Sequence, residues 1–74
     1  MELPLITAKK LIKFLKKEGF QFIRQKESHA FYRNPDGRTT VVPIHSVRKI
    51  KIGLLKGILN EIKVSREYFL KNIK

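Results

Sequence analysis

The chain has 74 residues, no cysteine, and 17 Lys and Arg against six Asp and Glu, a net charge of +11. That length allows one domain over residues 1–74 with one small core, about 11 Å in radius of gyration, and the lack of thiols excludes disulfides and thiolate zinc sites. So much positive charge on so small a surface attracts polyanions (RNA, DNA, an anionic membrane or an acidic protein partner), nucleic acid foremost. With no charged-then-apolar leader and no run of spanning length, the expectation is a soluble, unprocessed, cytoplasmic protein without membrane contact.

Met1 to Ile6 is a short lead-in, where Pro4 argues against an early helix. Thr7 is placed to cap the next segment, in which Ala8, Leu11, Ile12 and Leu15 recur with the spacing of one apolar helix face and Phe14 flanks the stripe. Lys9, Lys10, Lys13, Lys16 and Lys17 occupy the rest of that helix, as a solvated face or as a phosphate-contacting one, and Gly19 is placed to end it. Residues 20–25 read as a first strand, and Lys26-Glu27 turns the chain into a second.

The second strand runs from His29 to Arg33 and closes on Asn34-Pro35-Asp36-Gly37, which suits a type I turn because proline presets φ and Gly37 accepts a positive one. The β-branched run that follows pairs back on it. A three-residue loop sets Arg33 opposite Thr39, Phe31 opposite Val41 and His29 opposite Pro43. One face then carries His29, Phe31, Arg33, Thr39 and Val41. The other, with Ser28, Ala30, Tyr32, Thr40, Val42 and Ile44, is the predicted core face, since the first holds a histidine and an arginine. Beyond Pro43, Ser46 is expected to cap a helical turn through Val47 and Ile50. A major helix from Gly53 to about Lys63 then presents Leu54, Leu55, Ile58, Leu59 and Ile62. Gly57 inside it costs about 1 kcal/mol relative to alanine and is expected to permit close packing on the sheet. Ser65 caps a last short helix carrying Phe69 and Leu70. Helix, three strands and helices predict an α+β fold, a three-stranded antiparallel sheet with helices on one face.

Both histidines flank the same hairpin. Imidazole exchanges protons near neutral pH, and nearby Lys and Arg can hold a phosphate, which makes His29 the leading chemical residue. If the strand persists past Pro43, His45 is a diagonal neighbour and a candidate for a second proton transfer or a phosphate contact. The six acids are scattered, so no paired carboxylates for a two-metal nuclease are visible, and no metal or cofactor site is expected. Ser28 beside His29 is no catalytic dyad, because adjacent strand side chains point to opposite faces.

Lys26-x-Ser28-His29-x-x-Tyr32, the 34–37 turn, Val42-Pro43-Ile44-His45, Lys51-Ile52-Gly53-x-Leu55 and Val64-Ser65-x-Glu67-x-Phe69-Leu70 together resemble the HicA family of mRNA interferase toxins, in order and over nearly the whole chain. The resemblance implies a fold like the double-stranded-RNA-binding domain, in α-β-β-β-α order. It also implies endonucleolytic cleavage of messenger RNA, a HicB-type antitoxin as partner, and His29 as the catalytic residue. Lys9, Lys10, Lys13, Lys16 and Lys17, with Lys26, Ser28, Arg33 and Arg38, are then the candidate RNA contacts. The family's usual glycine before Ser-His is Glu27 here. A carboxylate there either strains a turn that wants positive φ and repels RNA, or bonds and orients His29. Two other readings use the same charge without the histidine: a non-catalytic double-stranded-RNA-binding module, and a protein whose basic surface serves only an acidic partner.

Overall fold

A computed structural model describes residues 2–44 and 49–73. The elements run β1 (Ile6–Thr7), α1 (Ala8–Lys17), β2 (Gln21–Lys26), β3 (His29–Arg33), β4 (Thr39–Pro43), β5 (Lys49–Ile50), α2 (Ile52–Glu61) and α3 (Arg66–Asn72). β2, β3 and β4 form an antiparallel sheet in that order, and β1 pairs with β5 in a separate two-stranded ladder. The radius of gyration is 11.4 Å. No helix among the described residues is long and apolar enough to cross a membrane.

Local chemistry accounts for the helix ends. The Thr7 hydroxyl accepts the Lys10 N–H at 3.2 Å, satisfying one open donor of α1. At the other end the chain leaves the helix at Glu18 and turns through Gly19 at φ +94°. The buried Asn34 locks this corner to the sheet. Its Nδ2 donates to the Glu18 carbonyl at 3.0 Å while its Oδ1 accepts the Asp36 N–H at 3.1 Å. The 34–37 turn closes as expected, the Gly37 N–H donating to the Asn34 carbonyl at 2.9 Å. Ser65 caps α3 through the Tyr68 N–H.

The hairpin register is the expected one: Arg33 opposite Thr39, Phe31 opposite Val41, His29 opposite Pro43. Ala30, Tyr32, Thr40 and Val42 are buried on the predicted core face. They meet Leu11, Phe14 and Leu15 of α1, Leu55, Ile58 and Leu59 of α2, and Phe69 of α3 in one cluster. The helices therefore cover one face of the sheet, and the face with His29 is left open.

Four expectations change. Phe14 does not flank the core but is 2% exposed within it, its ring edge-on to Phe69 at 4.9 Å; Ile12 lies at the margin instead. Ile50 is not in a helical turn. It is the buried partner of Ile6 in the β1–β5 ladder, because pairing two short apolar segments hides both and supplies backbone bonds that one helical turn cannot. Ser46 and Val47 lie outside the described residues. Leu54 stands on the outer flank of α2 at 45% exposure, one step off the Leu55, Ile58, Leu59 and Ile62 stripe. Gly57 permits no close packing: beyond its own helix, a Cβ there would meet nothing within 4 Å.

Candidate active site

The open face is built by the β2–β3 hairpin and finished by β4. β2 and β3 are joined by the two residues Glu27 and Ser28, with Lys26 paired to His29. Glu27 holds φ +55°, the region glycine enters freely and other residues enter at a cost. Among the described residues its carboxylate makes no hydrogen bond. Of the two consequences expected for a glutamate here, the geometry supports strain and not an orienting bond to His29. Glu27→Gly should therefore stabilise the fold by about 0.5–1 kcal/mol, read as a higher urea midpoint with an unchanged slope. An unchanged midpoint would mean that the turn is not strained.

His29 opens β3 with an exposed side chain, between Lys26 of β2 and Pro43 of β4. Two residues on, Phe31 lies between Arg24 and Val41. The Arg24 partnership depends on an irregularity in β2. The register shifts between Phe22 and Arg24, so Phe22 pairs with Tyr32 of the core face while Arg24 pairs with Phe31 of the open one. A bulge of this kind adds one residue and turns the following side chain over. The Arg24 guanidinium lies 4.9 Å from the Phe31 ring centroid. His29 thus shares this face with two cationic side chains, Lys26 directly across from it and Arg24 two residue pairs along, over Phe31.

α2 walls this face along β4. Between them runs a groove of about 390 Å³ lined by His29, Val41, Pro43, Leu54, Gly57, Ile58 and Glu61. A second groove of about 540 Å³ continues over Ile23, Arg24, Phe31, Arg33, Thr39 and Val41, and Glu61 borders it too. The Glu61 Oε1 accepts the Thr40 hydroxyl at 3.0 Å, which pins the carboxylate between the two grooves.

The other expected site residues divide. Lys26 and Arg33 share the open face with His29. Ser28 is at the hairpin tip, where its carbonyl accepts the Ile44 N–H. Lys9, Lys10, Lys13, Lys16 and Lys17 are all exposed on α1, whose apolar side packs on the covered face of the sheet. None of the five lines either open-face groove. Arg38 is engaged inside the molecule: its Nε donates to Asp36 at 2.8 Å, its terminal nitrogen to the Ile62 carbonyl, and its guanidinium lies over Phe20. The Arg38 backbone N–H, helped by that guanidinium, holds the Asp36 carboxyl below the ordinary aspartate value. These bonds tie the β3–β4 loop to the end of α2. His45 lies outside the described residues. Among those described, no three His, Cys, Asp or Glu residues stand together as metal ligands.

Sequence reasoning missed Arg24, Leu54 and Glu61. Arg24 was hidden by the bulge, which leaves no mark in the residue pattern. Leu54 and Glu61 belong to a helix whose distance from the sheet edge no local spacing encodes. The family model described as "HicA toxin of bacterial toxin-antitoxin" matches residues 8–64, from the start of α1 past the end of α2. No curated protein matches the chain.

Proposed function

Since the chain belongs to the HicA family of toxins from bacterial toxin–antitoxin systems, we propose that it is a cytoplasmic endoribonuclease that cleaves messenger RNA, with His29 as its proton-transfer residue and a HicB-type antitoxin as its inhibitor. The observation that supports this most is the setting of His29, an exposed imidazole on the sheet face that the helices leave open, with Lys26 across from it and Arg24 on the same face over Phe31. The cations neutralise and place a phosphate. The imidazole takes the proton of the 2′-hydroxyl as that oxygen attacks phosphorus, or gives one to the 5′-oxygen as the P–O bond breaks. His45 is the candidate for the complementary transfer. Such a reaction draws its charge stabilisation from Lys and Arg, so it is expected to run without a metal ion. The cognate antitoxin that the family implies would quench the toxin by covering this same open face, where acidic groups meet Lys26, Arg24 and Arg33.

The test is incubation of the purified protein with single-stranded RNA in excess EDTA, beside expression with and without the antitoxin gene. Cleavage in EDTA and growth arrest relieved by the antitoxin are expected. RNA that is bound but never cut would replace this reading with a non-catalytic RNA-binding module. The salt dependence of binding locates the contacts. Each lost phosphate contact flattens the log–log slope by about 0.7 on a single strand. Arg24→Ala and Lys26→Ala should each produce that change. The same change from alanines at Lys9, Lys13 and Lys16 would move the RNA to α1.

A further inference from the structure

We propose that the groove between β4 and α2 is a nucleobase pocket, in which Glu61 reads the N–H edge of a base, guanine above all, next to the phosphate held at His29. The inference rests on the nuclease reading above and adds to it the part of the substrate that confers specificity.

Three observations carry it. First, the groove is apolar where a base would lie, floored by Val41 and Pro43 and walled by Leu54, whose side chain is 45% exposed toward it rather than committed to the core. Second, the wall is kept low at its centre. Gly57 stands mid-helix, where glycine is the weaker helix former, yet its missing side chain makes room for nothing inside the protein: a Cβ there would meet no atom within 4 Å. The space it leaves open is the groove. Third, the two polar residues of the groove stand at its two ends. His29 is level with Pro43, whereas Glu61 is held by Thr40 three residues along the same strand, about 10 Å away at the usual rise. A nucleotide spans such a gap with its phosphate at one end and its base edge at the other.

The chemistry of the far end selects the occupant. Thr40 takes one lone pair of Oε1, and among the described residues Oε2 and the rest of Oε1 are acceptors with no other donor. Guanine offers two adjacent N–H donors on its Watson–Crick edge, and a carboxylate accepts both. Cytosine and adenine offer one amino group, and uracil sets a carbonyl on either side of its single N–H. An acidic segment of an inhibitor fits the basic side of the face but not this end, where Glu61 repels it.

The experiment measures affinity by fluorescence anisotropy for short single-stranded RNAs that differ at one position: guanine, uracil or an abasic sugar. The proteins are the wild type, Glu61→Gln and Gly57→Leu, with Gly57→Ala as a control for folding. The wild type should prefer guanine to the abasic site by about ten- to a hundredfold, the range of a good bidentate base contact. Glu61→Gln should lose the preference for guanine over uracil. Gly57→Leu should bind guanine RNA no better than abasic RNA, with its abasic affinity unchanged and its unfolding midpoint at or above that of the wild type. Variants that keep the full guanine preference overturn the proposal, as does a Gly57→Leu protein impaired only in binding the antitoxin. Because affinity is read without cleavage, base-selective binding with no cutting fails the nuclease reading alone. Cutting with no base preference fails the pocket alone.

Discussion

His29→Ala should lower the rate of RNA cleavage by about 10²–10⁴-fold, the usual contribution of a positioned general acid or base. RNA affinity should change little, because the cations that hold phosphate, Lys26 and Arg24, stay in place on the neighbouring strand. Stability should also hold within about 0.5 kcal/mol, as for other exposed side chains away from caps and networks. The alanine variant therefore separates chemistry from binding. A bacterium expressing it should grow, and the variant should still co-purify with the antitoxin, since a residue at the centre of a site need not anchor its inhibitor. If His29→Ala cuts RNA at the wild-type rate, the proton-transfer role must pass to another group of this face and the binding-module reading gains ground.

The largest effect on stability is expected from Phe14→Ala, at about 3–5 kcal/mol. Phe14 is the point at which α1 and α3 meet. Its ring is 4.9 Å from Phe69 and 6.3 Å from Tyr68 by centroid, both edge-on. Truncation removes the buried ring and both aromatic contacts, and its neighbours Leu11 and Leu15 are themselves fully buried and have little room to collapse inward. A domain of this size has about 3–5 kcal/mol in all, so Phe14→Ala should be largely unfolded at 25 °C by circular dichroism. Phe14→Leu, which keeps most of the volume, should fold with a lower urea midpoint. A cooperative Phe14→Ala transition near the wild-type midpoint would mean that the contact between α1 and α3 contributes little.

Arg38 shows why charge alone is a poor guide to a binding surface. In the sequence it is one more cation beside the hairpin, equal to Arg33. In the fold it is bound to Asp36, the Ile62 carbonyl and the face of Phe20, so the same charge holds the β3–β4 loop to α2. Arg24 is the opposite case. It sits in a strand that reads as plain alternation, and a one-residue bulge brings it to Phe31, onto the face that carries the histidine.

Features that depend on near neighbours along the chain were legible in the residues themselves. Thr7 and Ser65 cap helices because a hydroxyl reaches an N–H three residues on, and both do so here. The 34–37 turn sets the β3–β4 register, and with it the face that carries His29, because a loop of fixed length leaves only one pairing. The family motifs at the 34–37 turn and at Val64-Ser65 lie on those same local elements, which is why a linear string of residues suffices to carry them. Features that depend on distances between elements were settled only by the packed fold. Ile50 paired with Ile6 across more than half the chain, Phe14 turned inward because α3 docks on it, and Lys9 through Lys17 fell on a helix that packs on the covered face of the sheet, across it from the histidine. The groove between β4 and α2, with Glu61 at one end and an open Gly57 along its wall, exists only because a helix came to rest beside a strand edge at one particular spacing. No run of residues states that spacing, since it is set by the summed packing of a core to which every element contributes.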